Sequence, residues 1–165
     1  GPRNFRAEVW MAIIHGAMGI NYWVHQNPGG VGDLPAIEDS VFADEEMARV
    51  FKETNLEITR LAPVLNSPTL PDGLRVTSSA PASPEVAAAG LAPIAAIAKR
   101  HDGAVYVLSV RMEDSPARGE FEVAGLRGDA QAEVLGENRT IPVRDGRFAD
   151  DFAPLAVRLY RIAAP

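Results

Sequence analysis

Residues 94–112 read IAAIAKRHDGAVYVLSVRM, which is two apolar runs separated by His101-Asp102-Gly103. An Asp-Gly pair between such runs is typical of a β-hairpin, because both residues accept the positive φ angles that the tight turn needs. The stretch therefore predicts two neighbouring antiparallel strands, Ile94–Lys99 and Ala104–Met112.

Comparable short strands lie on both sides of this hairpin. The further predicted strands are Leu74–Ser78, Glu120–Val123, Ala132–Leu135, Thr140–Val143 and Leu155–Ile162. Turn signals at residues 126–129 and 144–146 separate several of them. Short strands at this regular spacing favour an all-β antiparallel sandwich over residues 74–165.

The first 66 residues have a different pattern, in which helix and strand alternate. One predicted helix begins at Asn4 and ends near Gly16, and a second runs from Asp44 to Ala62. Between them, Gly19–His25 (GINYWVH) is large and apolar on both faces. Strands of that kind are typical of parallel sheets that are covered on both sides. The segment is therefore interpreted as half of an α/β repeat, joined by a linker at residues 67–73 to the sandwich.

An isolated α/β unit cannot be complete. One parallel strand with two helices leaves both strand edges unpaired and both faces incompletely covered. The first 66 residues are therefore expected to need a partner, either a preceding segment of a longer chain or another chain.

The amino-acid composition argues against several classes of function. The 165 residues are 47% hydrophobic and 23% charged, with a net charge of -6 and no cysteine. An acidic balance disfavours nucleic-acid binding, and the absence of cysteine excludes disulfides and thiol catalysis. No apolar run approaches the roughly 20 residues of a membrane helix. The three histidines show no metal-ligand spacing, so no metal or cofactor is expected. The composition is that of a soluble, bacterial protein.

Two stretches resemble a known class of enzymes. Residues 6–23 (RAEVWMAIIHGAMGINYW) resemble the last helix and eighth strand of retaining glycoside hydrolases with a (β/α)8 barrel. Residues 132–139 (AEVLGENR), 145–150 (DGRFAD) and 157–162 (VRLYRI) are similar to the closing strands of the β-sandwich that follows that barrel. The resemblance implies an α/β fragment, the last β/α unit of a TIM barrel at residues 1–66, followed by an antiparallel sandwich. The expected partners are a glycoside or oligosaccharide substrate and the remainder of the barrel.

The resemblance also implies that this chain holds no catalytic residue. Retaining glycosidases use two carboxylates about 5–5.5 Å apart. In the resembling enzymes these follow the fourth and seventh strands, which would precede Gly1. The chain is thus expected to be the non-catalytic C-terminal part of a glycosidase.

Substrate contact is predicted at the carboxyl end of the Gly19–His25 strand. By alternation Asn21, Trp23 and His25 share one face. The resemblance places Trp23 beneath the sugar, and an indole offers a flat apolar face together with an N–H donor. His25 and Gln26 are candidates to hydrogen-bond hydroxyl groups.

Two other functions are compatible with the sequence. The sandwich could be a non-catalytic carbohydrate-binding module, which would need exposed aromatic residues. It could also be a structural domain that mediates oligomer contacts. Both alternatives stay open at the level of sequence.

Overall fold

The computed structural model of the chain describes residues 1–22 and 44–163. Every strand pairing among these residues is antiparallel. The helices are α1 (Pro2–Ile14), α2 (Glu45–Leu65) and the short α3 (Pro84–Ala88). The strands are β1 (Leu74–Ser78), β2 (Ile94–His101), β3 (Ala104–Arg111), β4 (Ala117–Val123), β5 (Asp129–Val134), β6 (Arg139–Arg144), β7 (Arg147–Phe152) and β8 (Val157–Ala163).

These strands form a single sheet that is almost closed into a barrel. Its order is β1-β4-β7-β6-β5-β8-β3-β2. The two ends of that order meet, because the Leu70 amide just before β1 donates to the Ala98 carbonyl in β2 at 2.9 Å. Closure of this kind protects strand edges that would otherwise expose unpaired backbone groups. The sheet is loosest between β6 and β7, which pair through Arg144 and Arg147 beside their turn.

The hairpin predicted at residues 94–112 is confirmed. β2 and β3 pair from Ile94–Arg111 to His101–Ala104. At the turn Asp102 has φ 45° and Gly103 has φ 68°. Two consecutive positive φ angles match the right-handed twist of the flanking strands. The other predicted strands are also present, with ends shifted by a few residues.

Alternation along the strands separates two apolar layers. In β3, Val105 and Val107 face the interior of the sheet, whereas Leu108 and Val110 face outwards. The interior layer is centred on four aromatic rings, those of Phe121, Phe148, Phe152 and Tyr160. Each large apolar side chain buried in this way contributes about 1.5–3 kcal/mol to folding.

The outer layer is the surface on which α1 packs. Ala7, Trp10 and Ile14 of α1 are buried in the same cluster as Leu108 and Leu159 of the sheet. Ile58, Leu61 and Leu65 of α2 pack against this cluster as well. The sheet therefore covers the apolar stripe of α1, whereas α2 is partly covered and its Leu56 is 46% exposed.

The predicted α/β fold class is wrong. Residues 19–22 of the predicted parallel strand belong to no strand, and residues 23–25 lie outside the described part of the chain. The physical reason for the difference lies in β3 and β8, which carry apolar residues on both faces and so give the antiparallel sheet an apolar outer face. The helices pack on that face, whereas the sequence predicted that they would pack against a parallel strand. The division into residues 1–66, 67–73 and 74–165 stays a prediction.

Both long helices lie close to their predicted positions. α2 begins after Asp44, whose carboxylate accepts a hydrogen bond from the Met47 amide at 3.0 Å. This is the N-cap contact expected of an aspartate at that position. α1 begins at Pro2, earlier than the predicted Asn4, since proline fits the first turn of a helix without losing a hydrogen bond.

Candidate functional site

The structure describes one of the four predicted substrate-binding residues. Asn21 is exposed and lies in no strand. Trp23, His25 and Gln26 fall in residues 23–43, outside the described part of the chain. The proposed roles of all four side chains therefore stay predictions.

An aromatic cluster includes Tyr22, the residue that follows Asn21 in the sequence. It consists of Phe5 from α1, Phe51 from α2 and Tyr22. The Tyr22 ring centroid is 5.5 Å from that of Phe5 and 4.6 Å from that of Phe51. Tilted rings at these separations attract each other through edge and face contacts. Tyr22 is 36% exposed, so part of the aromatic cluster faces solvent.

The hydroxyl group of Tyr22 is held by α2. It donates to Asn55 Oδ1 at 3.3 Å, while Asn55 Nδ2 donates to the Phe51 carbonyl at 2.8 Å. Burial raises the pKa of Tyr22, and the hydrogen bond to Asn55 partly offsets this rise. Tyr22 is thus a neutral, oriented ring, and the residue before it in the sequence, Asn21, is exposed.

A charged contact beneath the helices fixes the position of the aromatic cluster. Glu57 of α2 accepts hydrogen bonds from Arg6 Nη2 at 2.9 Å and from Trp10 Nε1 at 2.9 Å. Trp10 is fully buried, so its indole N–H needs this acceptor. The contact ties α1 to α2 and so sets the spacing of Phe5 and Phe51.

A second charged network bridges the loose junction between β6 and β7. This Asp150 network consists of Asp150 with Arg139, Glu137, Arg158 and Tyr160. Arg139 donates to both oxygens of Asp150, at 3.1 and 2.7 Å, and the Tyr160 hydroxyl donates to Asp150 Oδ2 at 3.0 Å. Burial alone would raise the pKa of Asp150, but the hydrogen bonds from Arg139 and Tyr160 hold it below its ordinary value. Asp150 is therefore an ionised structural carboxylate.

The outer face of β1, β4 and β7 carries pairs of opposite charge. Glu122 accepts from Arg75 at 3.2 Å and from Arg147 at 3.1 Å, and Arg118 pairs with Asp151 at 3.1 Å. These side chains are largely exposed, so each pair contributes little to stability. The face has the character of a solvated sheet surface.

Two classes of site are not found in the described residues. Residues 1–22 and 44–163 contain no cluster of three or more His, Asp or Glu side chains that could hold a metal ion. No helix in the same ranges is both long and apolar enough to cross a membrane.

The sequence did not predict the aromatic cluster or the Asp150 network. Tyr22 was interpreted as a strand residue, and no helical periodicity connects it to Phe5 or Phe51. The acidic pair Asp150-Asp151 was visible in the sequence. Its partner Arg139 could be found only with the register of β6 and β7.

The fold of this chain was compared with those of known proteins. No protein-family model matches the sequence, and no curated protein matches it. Solved structures do match. An α-amylase from Geobacillus thermoleovorans, complexed with acarbose, superposes with a TM-score of 0.60 at 10% identity, over 98% of this chain and 34% of that one.

Two structures of a protein named AmyP agree with this result. AmyP in complex with maltose gives a TM-score of 0.54 at 13% identity. A variant of AmyP in complex with maltotriose gives 0.55 at 12% identity. Each is matched over 99% of this chain and 35% of its own length. The chain thus has the fold of one part of these proteins and spans about a third of their length.

Proposed function

We propose that this chain is the C-terminal portion of a glycoside hydrolase. In this proposal it supplies part of a sugar-binding cleft and a stabilising antiparallel β-domain, and it is not catalytic by itself. The observation that carries the proposal is the match of almost the whole chain to one third of an α-amylase. The resemblance of the closing strands, at residues 132–139, 145–150 and 157–162, to the β-domain of glycoside hydrolases also supports it.

The aromatic cluster and Asn21 support a sugar-contacting role. Sugar rings present C–H faces that stack on aromatic rings and hydroxyl groups that need hydrogen-bond partners. Tyr22 and Asn21 offer both kinds of group on an exposed surface. Trp23, His25 and Gln26 follow directly in the sequence, and we assign them to the same cleft.

The state of the carboxylates supports a non-catalytic role. Among the described residues, Asp150 is the one buried carboxylate. A general acid for glycoside cleavage needs a raised pKa. The pKa of Asp150 is lowered instead, and its oxygens are occupied by Arg139 and Tyr160. We therefore expect the acid/base and the nucleophile in other parts of the parent enzyme.

A carbohydrate-binding module on the sheet is less well supported. Such modules usually bind sugar on exposed aromatic residues. Between residues 74 and 163 the rings of Phe121, Phe148, Phe152 and Tyr160 are buried, and Tyr106 packs in the layer under the helices. A role in oligomer contacts is compatible with the proposal, since a β-domain can stabilise a cleft without touching sugar.

The test is a titration of the ¹⁵N-labelled chain with neutral trisaccharides, including the maltotriose bound by AmyP. We expect at least one sugar to shift the amide resonances of Asn21 and Tyr22. Trp23→Ala should weaken that binding about tenfold, because it removes the stacking surface. Asn21→Ala, His25→Ala and Gln26→Ala should each weaken it a few-fold by removing one hydrogen bond.

Matched controls come from the β-domain. His101→Ala and Gln131→Ala remove the same side-chain types far from the proposed cleft and should leave the affinity unchanged. Binding that shifts resonances of the sheet instead, or that is equally affected by the controls, would contradict the proposed location.

A further inference from the structure

A cleft of about 600 Å³ lies where the C-terminal ends of α1 and α2 meet β2. Its inner surface is mainly apolar, and its rim carries His15, Asn55, Asn66 and Thr69. The apolar residues that line it include Ile13, Ile14, Ile58, Leu65 and Ile97. Clefts of roughly 300–1,000 Å³ with apolar walls and a few polar groups are typical of small-molecule sites.

Lys99 of β2 lines this cleft as a buried cation. The residue is 7% exposed, and its ammonium group donates to the Ser67 carbonyl at 2.7 Å. An ammonium has three N–H donors, so this contact uses one of them. No carboxylate of the described residues forms an ion pair with Lys99. Burial lowers the pKa of Lys99, which is the response of a charge without a partner.

The other buried cation of the described sheet has three hydrogen-bond acceptors. Arg111 is fully buried, but its guanidinium donates to the Ser115 carbonyl, the Ser115 hydroxyl and the Pro93 carbonyl at 2.8–3.0 Å. Arg111 does not line the cleft beside the helix ends. Lys99 differs because it has a single acceptor and lines this apolar space.

Among the described residues, no side chain of opposite charge lines the cleft beside Lys99. Of the lining residues within 1–22 and 44–163, Lys99 is the one Lys, Arg, Asp or Glu. The helix C-termini nearby carry only about half a negative charge each, less than the full charge of a carboxylate. The ammonium of Lys99 is therefore the one full charge that these four residue types place on the cleft wall in the described part of the chain.

We propose that this cleft binds an apolar chain that ends in a carboxylate, with the carboxylate on Lys99 Nζ and the chain along the isoleucine-lined walls. Such a ligand supplies the counter-charge that the ammonium lacks and the apolar surface that the walls lack. This inference goes beyond the proposed function and does not depend on it.

The test uses the full chain with decanoate below its micelle concentration, and with decan-1-ol as the uncharged control. Isothermal titration calorimetry at pH 7 should give decanoate binding at least about tenfold tighter than decan-1-ol, because only the acid forms a charge-assisted hydrogen bond. Amide resonances of Ile14, Ile97 and Lys99 should shift. Equal affinities, no binding of decanoate, or shifts elsewhere would overturn the proposal.

Variants of neighbouring cations make the test specific. Lys99→Met keeps the apolar stem and removes the charge, and it should lower decanoate affinity about tenfold or more while leaving decan-1-ol binding unchanged. Arg100→Met removes an exposed charge from the next residue and should have no effect. A loss of decanoate binding in both variants would contradict the role of Lys99. If Lys99→Met does not fold, the comparison of acid and alcohol on the unchanged chain still decides.

Discussion

At the scale of single residues, Asp150 is a charged side chain that is buried and held by hydrogen bonds. Its side chain is 10% exposed, and it is held by Arg139 and by the fully buried Tyr160. Removing one partner of such a contact leaves the others without a counter-charge in a poorly solvated place. Arg139 is 35% exposed, and the energy of the pair is reduced accordingly by solvent screening.

Asp150→Asn should therefore destabilise the fold by about 1–3 kcal/mol, because Arg139 and Tyr160 lose the charged acceptor that they share and Arg139 keeps only Glu137. Urea unfolding followed by circular dichroism measures this loss. Asp151→Asn is the matched control, since the Asp151 side chain is 80% exposed, and it should be close to neutral. Equal losses in the two variants would contradict the role given to Asp150.

The same residue predicts an acid limit to stability. The pKa of Asp150 in the folded state lies below its unfolded value of 3.8. A lowered pKa means that the folded state binds the proton more weakly, so the contribution of Asp150 is complete above the unfolded pKa. It is lost as the pH falls through the folded pKa. Unfolding free energies measured from pH 6 to pH 2 should fall less steeply in Asp150→Asn than in the unchanged chain.

Contacts between individual side chains were the feature of the structure that the sequence predicted least well. Arg139 and Asp150 are 11 positions apart, and only the turn at Asp145-Gly146 brings their strands together. A shift of one residue in that register would place Asp150 on the opposite face. The exposed Asn21 was predicted as a site residue, but its neighbour Tyr22 gave no sequence signal for the contact with Phe51.

At the scale of elements, Glu57 couples α1 to α2. Its carboxylate accepts from both Arg6 and Trp10, and its side chain is 18% exposed. Glu57→Gln keeps the shape but removes the charge, and it should cost about 1–2 kcal/mol. Glu53→Gln is the control, because Glu53 forms an exposed i,i+4 pair with Arg49. Thermal unfolding should separate the two variants, and a similar midpoint for both would contradict the coupling.

Elements with strong local signals were predicted correctly, and those defined by long-range packing were not. The β2–β3 hairpin follows from its Asp-Gly turn, and α2 follows from its Asp44 cap. β7 (RFADDF) was not among the strands predicted from residue pattern, because it has two acids and no β-branched residue, although the resemblance to closing strands included its first four residues. Residues 19–22 were predicted as part of a strand but lie in none, because Tyr22 packs against Phe5 of α1 and Phe51 of α2 instead.

At the scale of the whole molecule, α1 and α2 bury the outer apolar layer of the sheet. Leu108, Val110 and Leu159 are each at most 1% exposed under these helices. Removing residues 1–66 should expose this layer and produce binding of an anilinonaphthalene sulfonate dye, together with a lower unfolding midpoint. The full chain is the reference and should bind clearly less dye than the fragment. A stable fragment without dye binding would instead support residues 67–73 as a boundary between independent domains.

The proposed function requires that the chain binds sugar but does not cleave the glycosidic bond. Incubating the ¹⁵N-labelled chain with 4-nitrophenyl glycosides, including the maltoside, tests both parts in one NMR sample. The account predicts that at least one glycoside shifts the Asn21 and Tyr22 amides while its own signals stay those of the intact compound. Release of 4-nitrophenol above the rate of a chain-free sample would show that the carboxylates needed for cleavage are in this chain, and that result would contradict the account.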